Sequence, residues 1–97
     1  MSDVQEYRAK LQKVLPELSE RYHVGSLGLF GSYVRGTQRS DSDLDVLVTF
    51  DKLPSLIRLI ELENRLSDLL GVKVDLVLDD SLKPRIGERI RREVVPI

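Results

Sequence analysis

The stretch Gly31-Ser32-Tyr33-Val34-Arg35-Gly36, followed after a polar loop by Ser42-Asp43-Leu44-Asp45-Val46, decides how this chain reads. A Gly-Ser turn comes straight after an apolar segment, and two carboxylates one residue apart open the next. Side chains alternate across a strand, so Asp43 and Asp45 emerge on one face, about 6–7 Å apart along the backbone. A third carboxylate, Asp75, interrupts Val72-Lys73-Val74-Asp75-Leu76-Val77-Leu78. Inside an apolar strand a carboxylate is costly unless it is paired or coordinated. Three like charges brought together raise one another's proton affinity, and a hard divalent cation with an all-oxygen shell removes that conflict. Each residue also has a plainer reading. Asp43 and Asp45 can merely open a strand after a turn, and Asp75 can face solvent or pair with Arg35 or a tail arginine.

The Gly31-Ser32 backbone can cradle phosphate oxygens, with Ser32 Oγ as an added donor, or it can be an ordinary turn. No lysine follows at the spacing of a P-loop. Arg35 can pair bidentately with a phosphate or a cluster carboxylate, or lie on the surface. Ser42 is expected to brace the turn before Asp43, and Tyr33 either stacks on a base or packs. His23 has no histidine or cysteine partner for zinc and reads as a helix-end or surface residue.

The 97 residues are expected to form a single domain, 1–97. A 41% apolar fraction argues against general disorder. The absence of cysteine excludes disulfides, thiolate metal sites and cysteine nucleophiles, and fits a cytoplasmic location. No apolar run suggests a membrane span, and the acidic start at Asp3 and Glu6 does not resemble a signal peptide. A net charge of -1 makes the whole chain a poor electrostatic binder of nucleic acid. Basic charge gathers only in the tail, at Lys83, Arg85, Arg89, Arg91 and Arg92 against Glu88.

Apolar spacing of three and four predicts a helix from Val4 to about Tyr22, capped by Ser2 or Asp3 and broken near Pro16. Strands are expected over His23–Phe30, Leu44–Phe50 and Val72–Leu78. A helix over Leu53–Leu70 buries Leu56, Leu59, Ile60, Leu66, Leu69 and Leu70. Ile57 and Leu62 broaden that stripe, which permits a homo-oligomer without requiring one. Gly71 is its C-terminal cap, and Asp79-Asp80-Ser81 is a turn or a cap before a last helix with Pro84 in its first turn. That helix runs to about Glu93, and Val94-Val95 is a short strand or docking tail. The long helix between the second and third strands serves as a crossover that makes them parallel. The fold class is α+β, a small mixed β-sheet with helices packed on one face.

The combined pattern resembles the signature of the DNA polymerase beta-like nucleotidyltransferase superfamily. It comprises Gly31-Ser32, ten residues, Asp43-Leu44-Asp45 and a later Asp75 on a strand. The fuller string from Gly31 to Val48 is similar to the minimal, MNT-type branch of small prokaryotic proteins, over roughly Leu11 to Val95. The resemblance implies that Gly31 and Ser32, with Arg35, take the triphosphate of ATP or another NTP. It implies that Asp43 and Asp45 hold two Mg²⁺ ions and that Asp75 binds the catalytic one and helps activate the acceptor hydroxyl. Members of this branch commonly pair with a HEPN-domain toxin as its antitoxin, some by transferring AMP to a tyrosine, and the resemblance implies such a partner here. The expected reaction is therefore nucleotidyl transfer, with a partner protein bringing the acceptor. The alternatives are a non-catalytic module that neutralises its partner by occlusion, and transfer to a small molecule or RNA.

Overall fold

The computed structural model describes residues 3–97. Helix α1 (Asp3–Tyr22) leads into strand β1 (Val24–Phe30), the single turn α2 (Ser32–Arg35) and strand β2 (Leu44–Phe50). Helix α3 (Leu56–Leu70), strand β3 (Val74–Leu78), a 3₁₀ turn (Asp79–Ser81), helix α4 (Pro84–Glu93) and the short strand β4 (Val95–Pro96) follow. The sheet order is β3-β2-β1-β4. Strand β1 runs antiparallel to β2 and β4, and β2 runs parallel to β3 through the α3 crossover, which makes the sheet mixed as expected.

Alternation sorts the sheet into two faces. Leu27, Leu29, Leu44, Val46, Val48 and Val74 are buried and join Leu11, Leu18, Leu62, Leu66 and Leu70 from α1 and α3 in one core. Asp45, Leu47 and Thr49 alternate with that set and so lie on the opposite face of β2. Val94, at the end of α4, reaches back over Gly28 of β1.

Several local expectations need correction. Helix α1 is continuous through Pro16, with no break. Pro16 and Gln12 are both exposed, so water can serve the carbonyl that proline leaves unpaired. Leu11 and Leu18, fully buried on either side of that point, hold the helix in place. Of the two proposed caps, Ser2 lies outside the described residues and Asp3 is already helical.

Helix α3 starts at Leu56 rather than Leu53, because Ser55 caps it by accepting the Arg58 N–H at 3.3 Å. Its buried stripe is Leu62, Leu66 and Leu70, whereas Leu56, Ile57 and Ile60 are more than half exposed. In the first two turns Leu56, Leu59 and Ile60 line a groove with Leu76 and Leu78 of β3 that stays open to solvent. Asp79-Asp80-Ser81 is a turn and not a cap, and the position before α4 is taken by Lys83, which makes no side-chain cap.

The edge strand β3 is not left open. Its Val74 N–H donates to Ser67 Oγ at 3.0 Å and its Leu76 N–H to Glu63 Oε2 at 3.2 Å. Both acceptors come from α3, so this edge offers fewer free donors to another strand.

The corrected stripe has a direct test. Leu66→Ala should lower the unfolding free energy by about 2–5 kcal/mol, and Ile60→Ala should stay within about 0.5 kcal/mol, as read from urea denaturation.

Candidate active site

The site begins where β1 ends. Gly31 has φ +85°, in the left-handed region that favours glycine, and the chain turns there into α2. The Arg35 N–H donates to Gly31 O at 3.1 Å, and the Thr37 N–H to Ser32 O at 2.9 Å, closing the turn. Tyr33 packs edge-on against Tyr7 of α1, ring centres 5.9 Å apart, and its hydroxyl donates to Ser42 O at 3.4 Å. Of its two sequence readings, packing is the one observed. Ser42 Oγ in turn accepts the Arg39 N–H at 2.8 Å, which braces the loop as expected. These contacts fix where the chain enters β2.

Asp45 stands between two neighbours in register, Phe30 on antiparallel β1 and Asp75 on parallel β3. Laterally paired residues share a face, so Asp45 and Asp75 project together. Asp43 sits just before β2, two residues from Asp45. Burial holds the Asp45 carboxyl above the usual carboxylate range, and the charges of Asp75 and Asp43 add to that effect. Arg35 opposes the shift, and Glu93 reinforces it.

Asp75 itself is exposed, so the desolvation argument drawn from its apolar strand does not hold. Strand β3 is an edge, and its apolar neighbours Val74 and Leu76 point to the other face. What marks Asp75 is its register beside Asp45.

The three aspartates are brought onto one side but are not gathered into a coordination shell. Among the described residues no group of three or more histidines, cysteines, aspartates or glutamates is close enough to hold a metal ion. The donor set is nevertheless all carboxylate oxygen, the chemistry of a hard divalent cation. Burial first, and then the charges of Asp75 and Asp43, raise the proton affinity of Asp45, and a bound cation would offset both.

Gly31 is tied to this charge by space as well as by backbone. A Cβ at that position would collide with the Asp45 carboxylate, so glycine lets the turn lie directly beside it. Two further residues belong here that the motif did not reveal. Lys73 Nζ lies 3.9 Å from Asp43 Oδ2, on the loop entering β3. Glu93, the last residue of α4, accepts from Arg35 Nη1 at 2.8 Å (Oε1) and 3.2 Å (Oε2), and from the Gly31 N–H at 3.4 Å. Arg35 is therefore neither a lone surface residue nor a partner of the aspartates. The only hint of Glu93 in the sequence was an acid placed just after a basic stretch.

With this geometry in view, known proteins provide the comparison. The profile of the nucleotidyltransferase domain matches residues 11–95. The chain belongs to the nucleotidyltransferase family. Within it the chain is of the minimal, MNT type. It is 48% identical over 95 residues to the protein adenylyltransferase MntA of Thermococcus cleftensis, covering 98% of this chain and 96% of that one. A solved minimal nucleotidyltransferase shares 40% identity at a TM-score of 0.80, covering 98% and 96% of the two chains. A toxin-antitoxin structure with AMP-PNP shares 28% identity at a TM-score of 0.73, covering 91% of this chain and 69% of that one. Family membership makes the chain an enzyme of nucleotidyl transfer, and the α+β architecture with a mixed sheet is the family's.

Two predictions follow from the crowding at Asp45. Gly31→Ala and Gly36→Ala both meet a positive φ, worth about 1–3 kcal/mol, but only the Gly31 Cβ meets the carboxylate. Gly31→Ala should therefore be the more destabilising, and the difference should shrink in an Asp45→Ala background, as a double-mutant cycle of urea melts will read. The second concerns pH. The Asp45 pKa is raised on folding, so its ionisation opposes folding above that pKa. The penalty fades as pH falls through it towards the ordinary aspartate value of 3.8. Asp45→Asn should thus raise the melting temperature of chelator-treated protein at neutral pH, with the gain shrinking on acidification.

Proposed function

We propose that this protein transfers AMP from ATP, with Mg²⁺, to a tyrosine hydroxyl of a HEPN-type toxin and acts as its antitoxin. The observation that carries the reading is the register of Asp45 against Asp75, with Asp43 two residues away and the Gly31 turn alongside. The relative named a protein adenylyltransferase supports AMP as the group transferred. The toxin-antitoxin relative with AMP-PNP supports both the nucleotide and the kind of partner.

In this reading the Gly31 N–H, Ser32 Oγ and the Arg35 guanidinium hold the triphosphate. Asp43 and Asp45 would hold two Mg²⁺ ions, and Asp75 would share the catalytic one. The ions supply charge neutralisation on the phosphates and lower the proton affinity of the attacking hydroxyl. The acceptor oxygen forms a bond to the α-phosphorus, and the bond from that phosphorus to the bridging β-phosphate oxygen breaks. The products are the AMP ester and pyrophosphate. Asp75, exposed on an edge strand, is accessible to take up the hydroxyl proton. Lys73 beside Asp43 offsets part of the local negative charge.

The test is incubation of the protein with a HEPN-type toxin, sought in the product of the neighbouring gene, with ATP and Mg²⁺, followed by intact mass measurement. The toxin should gain one or more AMP units, and Asp43→Asn and Asp45→Asn should each cut the rate at least about a hundredfold. Protection of cells by the doubly substituted protein would instead favour neutralisation by occlusion. An unmodified toxin, under conditions where ATP binding is demonstrated, would overturn the proposal.

A further inference from the structure

Two of the three donors assigned to the triphosphate, the Gly31 N–H and Arg35, are already engaged. Glu93 places one carboxylate on both, contacting the Arg35 guanidinium through each of its oxygens and the Gly31 N–H through one. These contacts join positions 58 and 62 residues apart, so they are a product of the tertiary fold and not of a local turn. We propose that Glu93 is a built-in stand-in for the nucleotide's triphosphate, an autoinhibitory latch that ATP must displace to bind. The inference rests on the reading of Gly31 and Arg35 as triphosphate ligands.

Three features support a latch over a permanent strut. The grip is uneven: firm on Arg35 at 2.8 Å, loose on Gly31 at 3.4 Å, where a closer oxygen would bond better. Helix α4 is lightly held: Gly87 is its single buried residue, and among the described residues its other ion pair to the body is Arg91 to Asp79 at 2.8 Å. Finally, Glu93 adds a negative charge on the side of Asp45. A polyanion cannot share that seat with a carboxylate, since like charges in a partly desolvated site repel strongly. Nucleotide entry therefore entails release of the Glu93 side chain, while β4, paired with β1 just after it, keeps the backbone in place.

A strut that orients Arg35 predicts the opposite response to its removal, which makes the two separable. Calorimetric titration of the full chain with Mg-ATP, Mg-tripolyphosphate and adenosine compares wild type with Glu93→Gln, whose melting curve verifies folding. The latch predicts roughly tenfold tighter binding of ATP and tripolyphosphate by Glu93→Gln, with adenosine unchanged. Equal or weaker binding of ATP by the variant, with wild type still binding, overturns the latch and leaves the triphosphate seat standing. A gain for adenosine as well overturns it too, because the effect then lies outside the anion seat. If neither protein binds tripolyphosphate, the seat itself is refuted and the latch with it. In wild type, the ¹³C carboxyl resonance of Glu93 should move on saturation with Mg-ATP, and a fixed resonance under saturation also refutes the latch.

Discussion

Parallel pairing of β2 with β3 forces Asp45 and Asp75 side by side on one face. In a protein selected only for stability that register would be a poor choice, because it sets like charges together where one is partly desolvated. Burial, and after it the charges of Asp75 and Asp43, raise the proton affinity of Asp45. The core on the opposite face imposes the register regardless. Leu44, Val46 and Val48 are fully or almost fully buried, and a slip of one residue would turn all of them outward. Packing of the apolar face thus holds the charged face in an arrangement it would not adopt alone.

Around that strained charge the chain arranges small compensations. Gly31 gives up a side chain so that the turn can lie against the Asp45 carboxylate. Arg35 approaches the same region with the opposite charge, and Lys73 approaches Asp43. Glu93 then satisfies Arg35 while adding charge of the wrong sign beside Asp45. A contact that relieves one group and burdens its neighbour is what a displaceable occupant would look like. The remaining surface is partitioned as well. Helix α3 spends Ser67 and Glu63 on the edge of β3, and its leading turns carry Leu56, Ile57 and Ile60 into solvent.

Element identity was legible along the chain because it follows from short-range periodicity. Strand β2 and the crossover α3 follow from alternation and a 3.6-residue stripe, and Gly71, whose N–H donates to Ser67 O at 2.9 Å, ends α3 where a C-terminal glycine should. Errors arose where an outcome depends on exposure. The tolerance of Pro16 depends on water reaching a neighbouring carbonyl. The identity of the α3 stripe depends on where the helix closes onto β3 and where it leaves an open groove. The exposed setting of Asp75 depends on β3 being an edge strand.

The amino-acid order alone determined the family signature, the aspartates two residues apart at the start of β2 and the glycine turn before them, since these are matters of residue type and local spacing. Only the tertiary structure decided that Asp75 stands level with Asp45, that Gly31 is pressed against a carboxylate, and that Glu93 reaches the anion seat. Each of these depends on strand register or on the path of the final helix. Both are settled by long-range packing of the core, which no short stretch of sequence encodes.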